Sequence, residues 1–543
     1  MTPVPVAPDE WRGARIPDAA TPDADRSARL MTGLIAVSRV SGFGRLLVAV
    51  AVLGTASPLS NVYSSANTIP TLVFEMLAAG ALSATLLPEF RRRLTGRDPL
   101  AASQLASSVL LWGGIILGAL IIGVIAAREP IARGLLSGIV DPASRDDAVA
   151  LMGVLIIWFA PQLLAYLANT VAVAYLQAQH RFGASVLCPL VNNVVLIGAY
   201  TLFWLQRDGA DPSLDLTNAQ IVTLGAGTLL GVVAMCAVPA FDAWRAGVRW
   251  VRPLAVTDPQ LRRVARDGIW AAVFLAGGQA ILAATLPITN AYDGHGIVWL
   301  VAWQVFMLPH ALLAVPAMTA RFPTMAAAHD CGDGDQLERV LQAGIRSVLG
   351  TGLLAGALMW GLAEPLGQLL AVGASRDAGE LFASAVRALG PGVAAFGMLH
   401  LLARRCYASG DTRTPAIVAM GVAVAAIMSM VAIVGRVDVA QRLGVIGWAV
   451  SLSNLAGAMV LAWRLGVRPD AMVARRVAAA VGAGAVGWWC VQLLGPADGV
   501  VAQIASCAVG AVAGTAVYLG FDRLGGGPTT RAFIATLGAA ERS

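Results

Sequence analysis

The sequence predicts an all-α polytopic membrane protein of about fourteen transmembrane helices, arranged as two parallel-repeat six-helix lobes plus two C-terminal helices. The first observation behind this is composition. Of the 543 residues 57% are apolar and 13% charged, with a mean hydropathy of +0.71, whereas soluble domains carry about 25% charged residues. The second is length. Apolar stretches near 20 residues recur along the chain, enough for a helix to cross the hydrocarbon core, and they are continuous rather than alternating, which argues against a membrane β-barrel. The third is a loop pattern that recurs at a nearly constant offset.

In chain order, residues 1–30 are polar, rich in Pro, Asp and Arg, and read as a disordered cytoplasmic tail rather than a cleaved signal peptide. Spans one to six follow at about 32–55, 63–88, 103–127, 149–178, 183–205 and 219–244 and form an N-lobe over 31–245. An arginine-bearing cytoplasmic linker covers 246–265. Spans seven to twelve, at about 266–290, 296–320, 341–371, 381–403, 415–435 and 443–463, form a C-lobe over 266–466. Spans thirteen and fourteen, at about 474–495 and 499–521, lie within 467–523, and 524–543 is a second cytoplasmic tail.

All 38 basic residues are arginine, and their placement orients the chain. With these spans, 28 arginines fall on the side of both termini, eight on the opposite side and two inside span one. The excess marks the cytoplasmic face. The formal charge of +6 therefore reports orientation rather than nucleic-acid binding. The repeat shows in "SATLLPEF" and "MTARFPTM", which set Pro88 and Pro323 235 residues apart. It shows again in "YLQAQHRF" and "YASGDTR", where Tyr175 and Arg181 align with Tyr407 and Arg413 at an offset of 232. Parallel repeats of this kind are common in transporters, with the substrate site between the halves.

Span one contains "SRVSGFGR", which places Arg39 and Arg45 inside the bilayer. Counted from Met31 at 1.5 Å per residue, they lie roughly 12 Å and 21 Å deep, about 120° apart around the helix, with Gly42 between them on one broad stripe. A central arginine costs at least about 2.5–3.5 kcal/mol on insertion scales, so it faces a partner or a watery cavity. Both readings stay open here. Glu75 of span two is a candidate ion-pair partner for Arg45, but one carboxylate cannot neutralise two guanidinium groups. The planar donors of guanidinium suit phosphate.

Span two opens "SSANTIP", with Asn67 and Thr68 ahead of the helix-breaking Pro70. Asn169, Asn192, Asn193, Gln279, Gln304 and Asn454 read first as interhelical glue and second as cavity lining. His310 and His400 stand alone in the sequence and read as structural rather than as proton relays. The six cysteines are scattered without metal-type spacing. No phosphate loop, nucleophile elbow or zinc-protease motif is present, so the chain reads as a transporter and not an enzyme, with no cofactor. Membrane potential or an ion gradient then remains as the energy source.

Taken together, "SRVSGFGR", "ANTIPTLVFEMLAAGALSATLLPEF", "LPHALLAVPAMTARFPTM" and "ARRCYASGDTRTP" resemble signatures of the MurJ/MviN family of lipid II flippases, within the multidrug/oligosaccharidyl-lipid/polysaccharide exporter superfamily; the resemblance spans about residues 30–520. It implies two six-helix lobes around a cationic cavity, with spans thirteen and fourteen forming a groove for the polyprenyl tail. It further implies alternating access in the bacterial cytoplasmic membrane, carrying undecaprenyl-pyrophosphate-linked peptidoglycan precursor from the inner to the outer leaflet for the wall-synthesis machinery. By that match Ser38, Arg39, Gly42, Arg45, Asn67, Thr68, Glu75 and Gln304 are the substrate-binding residues, and no metal is called for. The chain also departs from the family. Phe74 and Glu75 stand where many members have a cavity Arg, as does Gln304 in span eight. Leu46 replaces an acidic residue, and span eleven lacks the Asn or Asp used for sodium. An exporter of another polyprenyl-linked glycan and a non-transporting scaffold are the competing readings.

Overall fold

The structure is a computed structural model. It describes residues 41–524 apart from 43, 55–56, 77–82, 96–97, 140, 180, 182, 256, 293–294, 372–377, 468–470 and 496–498. Ser38 and Arg39 lie outside the described residues.

Regular structure among the described residues is entirely helical. The N-lobe contains α1 (Gly44–Leu53), α2 (Pro58–Met76), α3 (Ser83–Thr95), α4 (Pro99–Ala126), α5 (Arg128–Leu135), α6 (Pro142–Phe159), α7 (Gln162–Ala178), α8 (Gly183–Gln206) and α9 (Asn218–Arg245). The C-lobe contains α10 (Pro259–Thr289), α11 (His295–Pro309), α12 (Val315–Asp330), α13 (Gly334–Gly361), α14 (Ala363–Leu370), α15 (Gly379–Leu389), α16 (Gly392–Ala408), α17 (Arg413–Val434) and α18 (Arg442–Arg464). A final hairpin pairs α19 (Ala471–Leu494) with α20 (Val500–Leu524). Among the described residues, 11 helices are long and apolar enough to cross a membrane, or 12 if α15 and α16 count as one span bent by 43°. The expected fourteen is therefore not reached. The difference lies in the first two spans: α1 is described for ten residues only, and α2 carries Ser60, Asn61, Ser64, Ser65, Asn67, Thr68, Thr71 and Glu75.

The repeat is visible in helix lengths. Both α4 and α13 have 28 residues and begin at Pro99 and Gly334, and the eight-residue α5 and α14 follow at Arg128 and Ala363, each pair shifted by 235. Aspartates cap the long helices at the same offset: Asp98 accepts from Ala101 N at 2.9 Å and Asp333 from Gln336 N at 2.8 Å. Such side-chain caps satisfy otherwise orphaned amides, each contributing about 1 kcal/mol. The 17-residue α7 and α16 are shifted by 230, from Gln162 to Gly392, each just after a proline, Pro161 or Pro391, that breaks the span.

Each lobe has its own apolar core, and α1 lies between them. Ala49, Val52 and Leu53 pack into the N-lobe, whereas Leu46 and Val50 pack into the C-lobe core. At the arginine-poor end the lobes are joined by polar bonds. Asn61 Nδ2 on α2 donates to Tyr292 O at 2.9 Å, and its Oδ1 accepts from Gly296 N at 3.1 Å. Asn290 Nδ2 donates to Ser65 Oγ at 2.8 Å and to Leu135 O at 3.0 Å. Glycine permits this approach: a Cβ on Gly296 would sit 2.8 Å from the side-chain oxygens of both Asn61 and Asn290.

The segment joining the lobes is fastened rather than free. Beyond α9 the chain runs along α4, where Arg249 N, Val251 N and Leu254 N donate to the hydroxyls of Ser103, Ser107 and Ser108 at 3.3, 3.1 and 2.8 Å. Trp112 Nε1 donates to Leu254 O at 3.0 Å. These bonds supply backbone partners that a strand would otherwise provide. A buried pair, Arg476 Nε to Asp522 Oδ1 at 3.3 Å, joins α19 to α20, and the hairpin is held to α13 of the C-lobe by Arg476 Nη1 donating to Arg346 O at 2.5 Å and Tyr518 donating to Gly350 O at 2.9 Å.

Candidate substrate site

Four of the expected site residues, Arg45, Asn67, Thr68 and Gln304, fall at one depth. Each helix can be measured from the latched end at 1.5 Å per residue. Arg45 is eight residues before the end of α1, so about 12 Å down. Asn67 and Thr68 follow the start of α2 by nine and ten residues, about 14 and 15 Å. Gln304 is nine residues into α11 on the other lobe, again about 14 Å. The helices α1, α2 and α11 thus bring a guanidinium and three polar side chains to one tier, between lobes that meet above it.

Glu75 is not on that tier. It is seventeen residues into α2, about 26 Å from the latched end, although it was the candidate ion-pair partner of Arg45. Its side chain lies outside the described residues. Among the described residues no carboxylate lies within ion-pair distance of Arg45. The charge of Arg45 instead reaches the phenols of Tyr63 and Tyr200. Those phenols form a buried cluster that sequence reading missed: Tyr63 Oη is 3.2 Å from Tyr200 Oη and 2.5 Å from Thr228 Oγ1. A pattern of isolated polar residues on three helices gives no local signal of such a cluster.

The remaining residues divide by their partners. Gly42 faces α8, where a Cβ would meet Asn193 Nδ2 at 3.4 Å, and Asn193 donates to Ser41 at 2.9 Å. Gly42 therefore serves close packing of α1 on α8. Thr68 donates back to Ser64 O at 2.7 Å, so its hydroxyl is occupied within α2. Asn67 is half-buried and Gln304 is exposed, leaving both amides presentable. Asn454 donates to Val450 O at 2.8 Å on its own helix rather than to a neighbour. Among the described residues no group of three His, Cys, Asp or Glu side chains could hold a metal ion.

The tier combines one cation with neutral hydrogen-bonding groups. That arrangement can hold an anionic head group without trapping it as a dense cationic cluster would. Comparison with known proteins bears on its setting. A family model described as lipid II flippase MurJ matches residues 50–497. A probable lipid II flippase MurJ of Rhizobium tropici is 24% identical over 384 residues, covering 70% of this chain and 69% of the relative. The lipid II flippase MurJ of Burkholderia cenocepacia is 24% identical over 433 residues, covering 77% and 81%. Among solved structures, a lipid II flippase MurJ in an inward closed conformation aligns with a TM-score of 0.71 at 17% identity, over 93% of this chain and 99% of that one. An inward-facing multidrug resistance transporter of the MATE family aligns at 0.62 with 16% identity, over 78% and 94%. With most of its length matched by the family model and the same two-lobed helical fold, the chain belongs to the MurJ family of lipid II flippases, transporters rather than enzymes.

Proposed function

We propose that this chain carries lipid II from the inner to the outer leaflet of the bacterial cytoplasmic membrane, with Arg45 holding the pyrophosphate. The single observation supporting this is the tier itself: a membrane-embedded arginine without a described carboxylate partner, level with Asn67 and Gln304 on opposite lobes. An arginine so placed gains little unless an anion arrives, since leaving water costs several kcal/mol. A pyrophosphate supplies that anion, and guanidinium binds it bidentately. By the family match, Arg39 is the second head-group arginine. Asn67 and Gln304 donate to sugar or peptide oxygens. Both termini are cytoplasmic, by the arginine bias.

Transport follows by alternating access. With the Asn61 and Asn290 latch made, the site is shut from outside. Head-group binding across the tier draws the lobes together inside, and opening the latch delivers the cargo outward, where wall-synthesis enzymes consume it. The polyprenyl tail stays in lipid along the α19–α20 hairpin. Energy comes from a gradient rather than from ATP.

The test is a flip assay with fluorescent lipid II in vesicles. Wild type moves the probe; Arg45→Ala abolishes movement while the protein still accumulates, and Arg45→Lys retains part of it, since charge persists without the planar fork. The double variant Arg45→Gln with Glu75→Gln folds and does not transport. Wild-type flipping by that double variant would remove Arg45 from the binding role. Absence of flipping by the wild type, with another polyprenyl-linked glycan moved instead, would replace the cargo.

A further inference from the structure

The buried hydroxyl cluster of the N-lobe has a fixed direction. Thr228 Oγ1 donates to Leu224 O at 2.6 Å, one turn back on α9, so its single hydrogen is committed. In the 2.5 Å bond between Tyr63 and Thr228 the donor is therefore Tyr63. With that hydrogen spent, the donor in the 3.2 Å bond between Tyr63 and Tyr200 is Tyr200. The chain of hydroxyls thus runs from Tyr200 on α8 to Tyr63 on α2, then to Thr228 and Leu224 O on α9. Tyr200 Oη stands at its head. Its hydrogen points inward, its lone pairs point elsewhere, and among the described residues no donor is bonded to them. A hydroxyl that donates along such a chain is polarised into a better acceptor.

The register of α1 against α8 sets Arg45 at the level of that oxygen. Two bonds tie the segments, Asn193 Nδ2 to Ser41 Oγ at 2.9 Å and Arg207 Nη1 to Val52 O at 2.6 Å, at sequence separations of 152 and 155. Nearly equal separations mean that the two helices run in the same direction, and they place Arg45 beside the turn Ile197–Tyr200 of α8. The face is also right. Arg45 is four residues after Ser41, which touches α8, and four before Ala49, which packs in the same core as Tyr63 and Tyr200. Positions four apart lie on one face of a helix. The charge of Arg45 acts on both phenols.

We propose that Tyr200 is the positioning residue of Arg45: as head of the hydroxyl chain it offers the guanidinium lone pairs only, and so holds it on the tier without neutralising it. A carboxylate in that place would form an ion pair that an incoming anion would have to break. A phenol is uncharged at neutral pH, so the full positive charge of Arg45 stays available. Guanidinium has five N–H donors, and one engaged by Tyr200 leaves a planar fork for two phosphate oxygens. Tyr63 and Thr228 act one step further back, by fixing where the Tyr200 hydrogen points. Without them that hydrogen can turn toward Arg45, and attraction gives way to repulsion. The inference rests on the reading of Arg45 as a head-group arginine.

The experiment reads Arg45 itself. The full chain in liposomes is treated with phenylglyoxal, which modifies guanidinium groups, and modified arginines are quantified by peptide mass spectrometry. Arg45 is half-buried and within reach, and exposed Arg413 serves as internal reference. Tyr200→Phe keeps the ring and removes the acceptor. Without cargo, modification of Arg45 should rise about fivefold, the equivalent of one hydrogen bond, with Arg413 unchanged. Tyr63→Phe, which frees the Tyr200 hydrogen to turn, should raise it too, and decides the matter if Tyr200→Phe does not accumulate. Added lipid II should slow modification of Arg45 in the wild type. No such protection would overturn the head-group reading and the positioning role with it, whereas protection with an unmoved cargo-free rate in both variants overturns the Tyr200 assignment alone. In the flip assay Tyr200→Phe should raise the lipid II content at half-maximal rate more than it lowers the maximal rate. A fall in maximal rate alone is the mark of lost packing and would also overturn the assignment.

Discussion

Asn290 Nδ2 donates to Ser65 Oγ at 2.8 Å, joining helices that lie 225 residues apart in sequence. The same amide donates to Leu135 O, so Asn290→Ala removes two bonds between the lobes. Each is worth about 1 kcal/mol net, and the stranded Ser65 and Leu135 oxygens raise the total to roughly 2–3 kcal/mol. A cysteine replacing Asn67 below the latch should then react faster with an impermeant thiol reagent added outside cells. An unchanged rate would mean the latch does not control access.

Gly296→Ala tests the same closure by crowding. The added Cβ meets two amide oxygens at 2.8 Å, so the lobes must part or the asparagines must turn. Outside labelling of Asn67→Cys should rise as it does for Asn290→Ala. Gly334→Ala, whose Cβ meets nothing within 4 Å, should leave labelling unchanged.

Orientation can be read from two cysteines. Ser144→Cys, exposed near the start of α6, should label in intact cells, and native Cys331, exposed beyond α12, should label only after permeabilisation. The reverse pattern would invert the topology.

The hairpin should depend on one ion pair. Arg476 and Asp522 are both 3% exposed, and taking the carboxylate away in Asp522→Ala leaves a buried guanidinium without it, a loss of about 3–5 kcal/mol. Thermal unfolding in detergent should show a clear fall in midpoint. Glu364→Gln, which breaks the exposed pair with Arg387, should change stability by about 0–1 kcal/mol.

Much of the fold was legible because bilayer crossing imposes length and apolarity on each span. The repeat was legible through Tyr175 and Tyr407, which end matching helices. Span two was harder: its Asn61 and Ser65 belong to the latch, which forms against residues more than two hundred positions away. The candidate site was legible as to Arg45, since a charge in an apolar run stands out. The partners of that charge were not. Tyr63 and Tyr200 meet through helix packing, and the depth of Glu75 depends on where α2 begins. That His310 and His400 meet, with ring centres 5.0 Å apart, escaped for the same reason, since spans eight and ten carry no mutual signature.

The serine-fastened segment along α4 acts as a short leash. Bonding ends at Leu254 and α10 begins at Pro259, so only five residue steps connect the two lobes there, at most ~17 Å when fully drawn out. Halves tethered so tightly at one rim can tilt about that rim but cannot drift apart. The motion available to the protein is that of a hinged shell, and the width of its mouth is limited by how far the rim opposite the leash can swing.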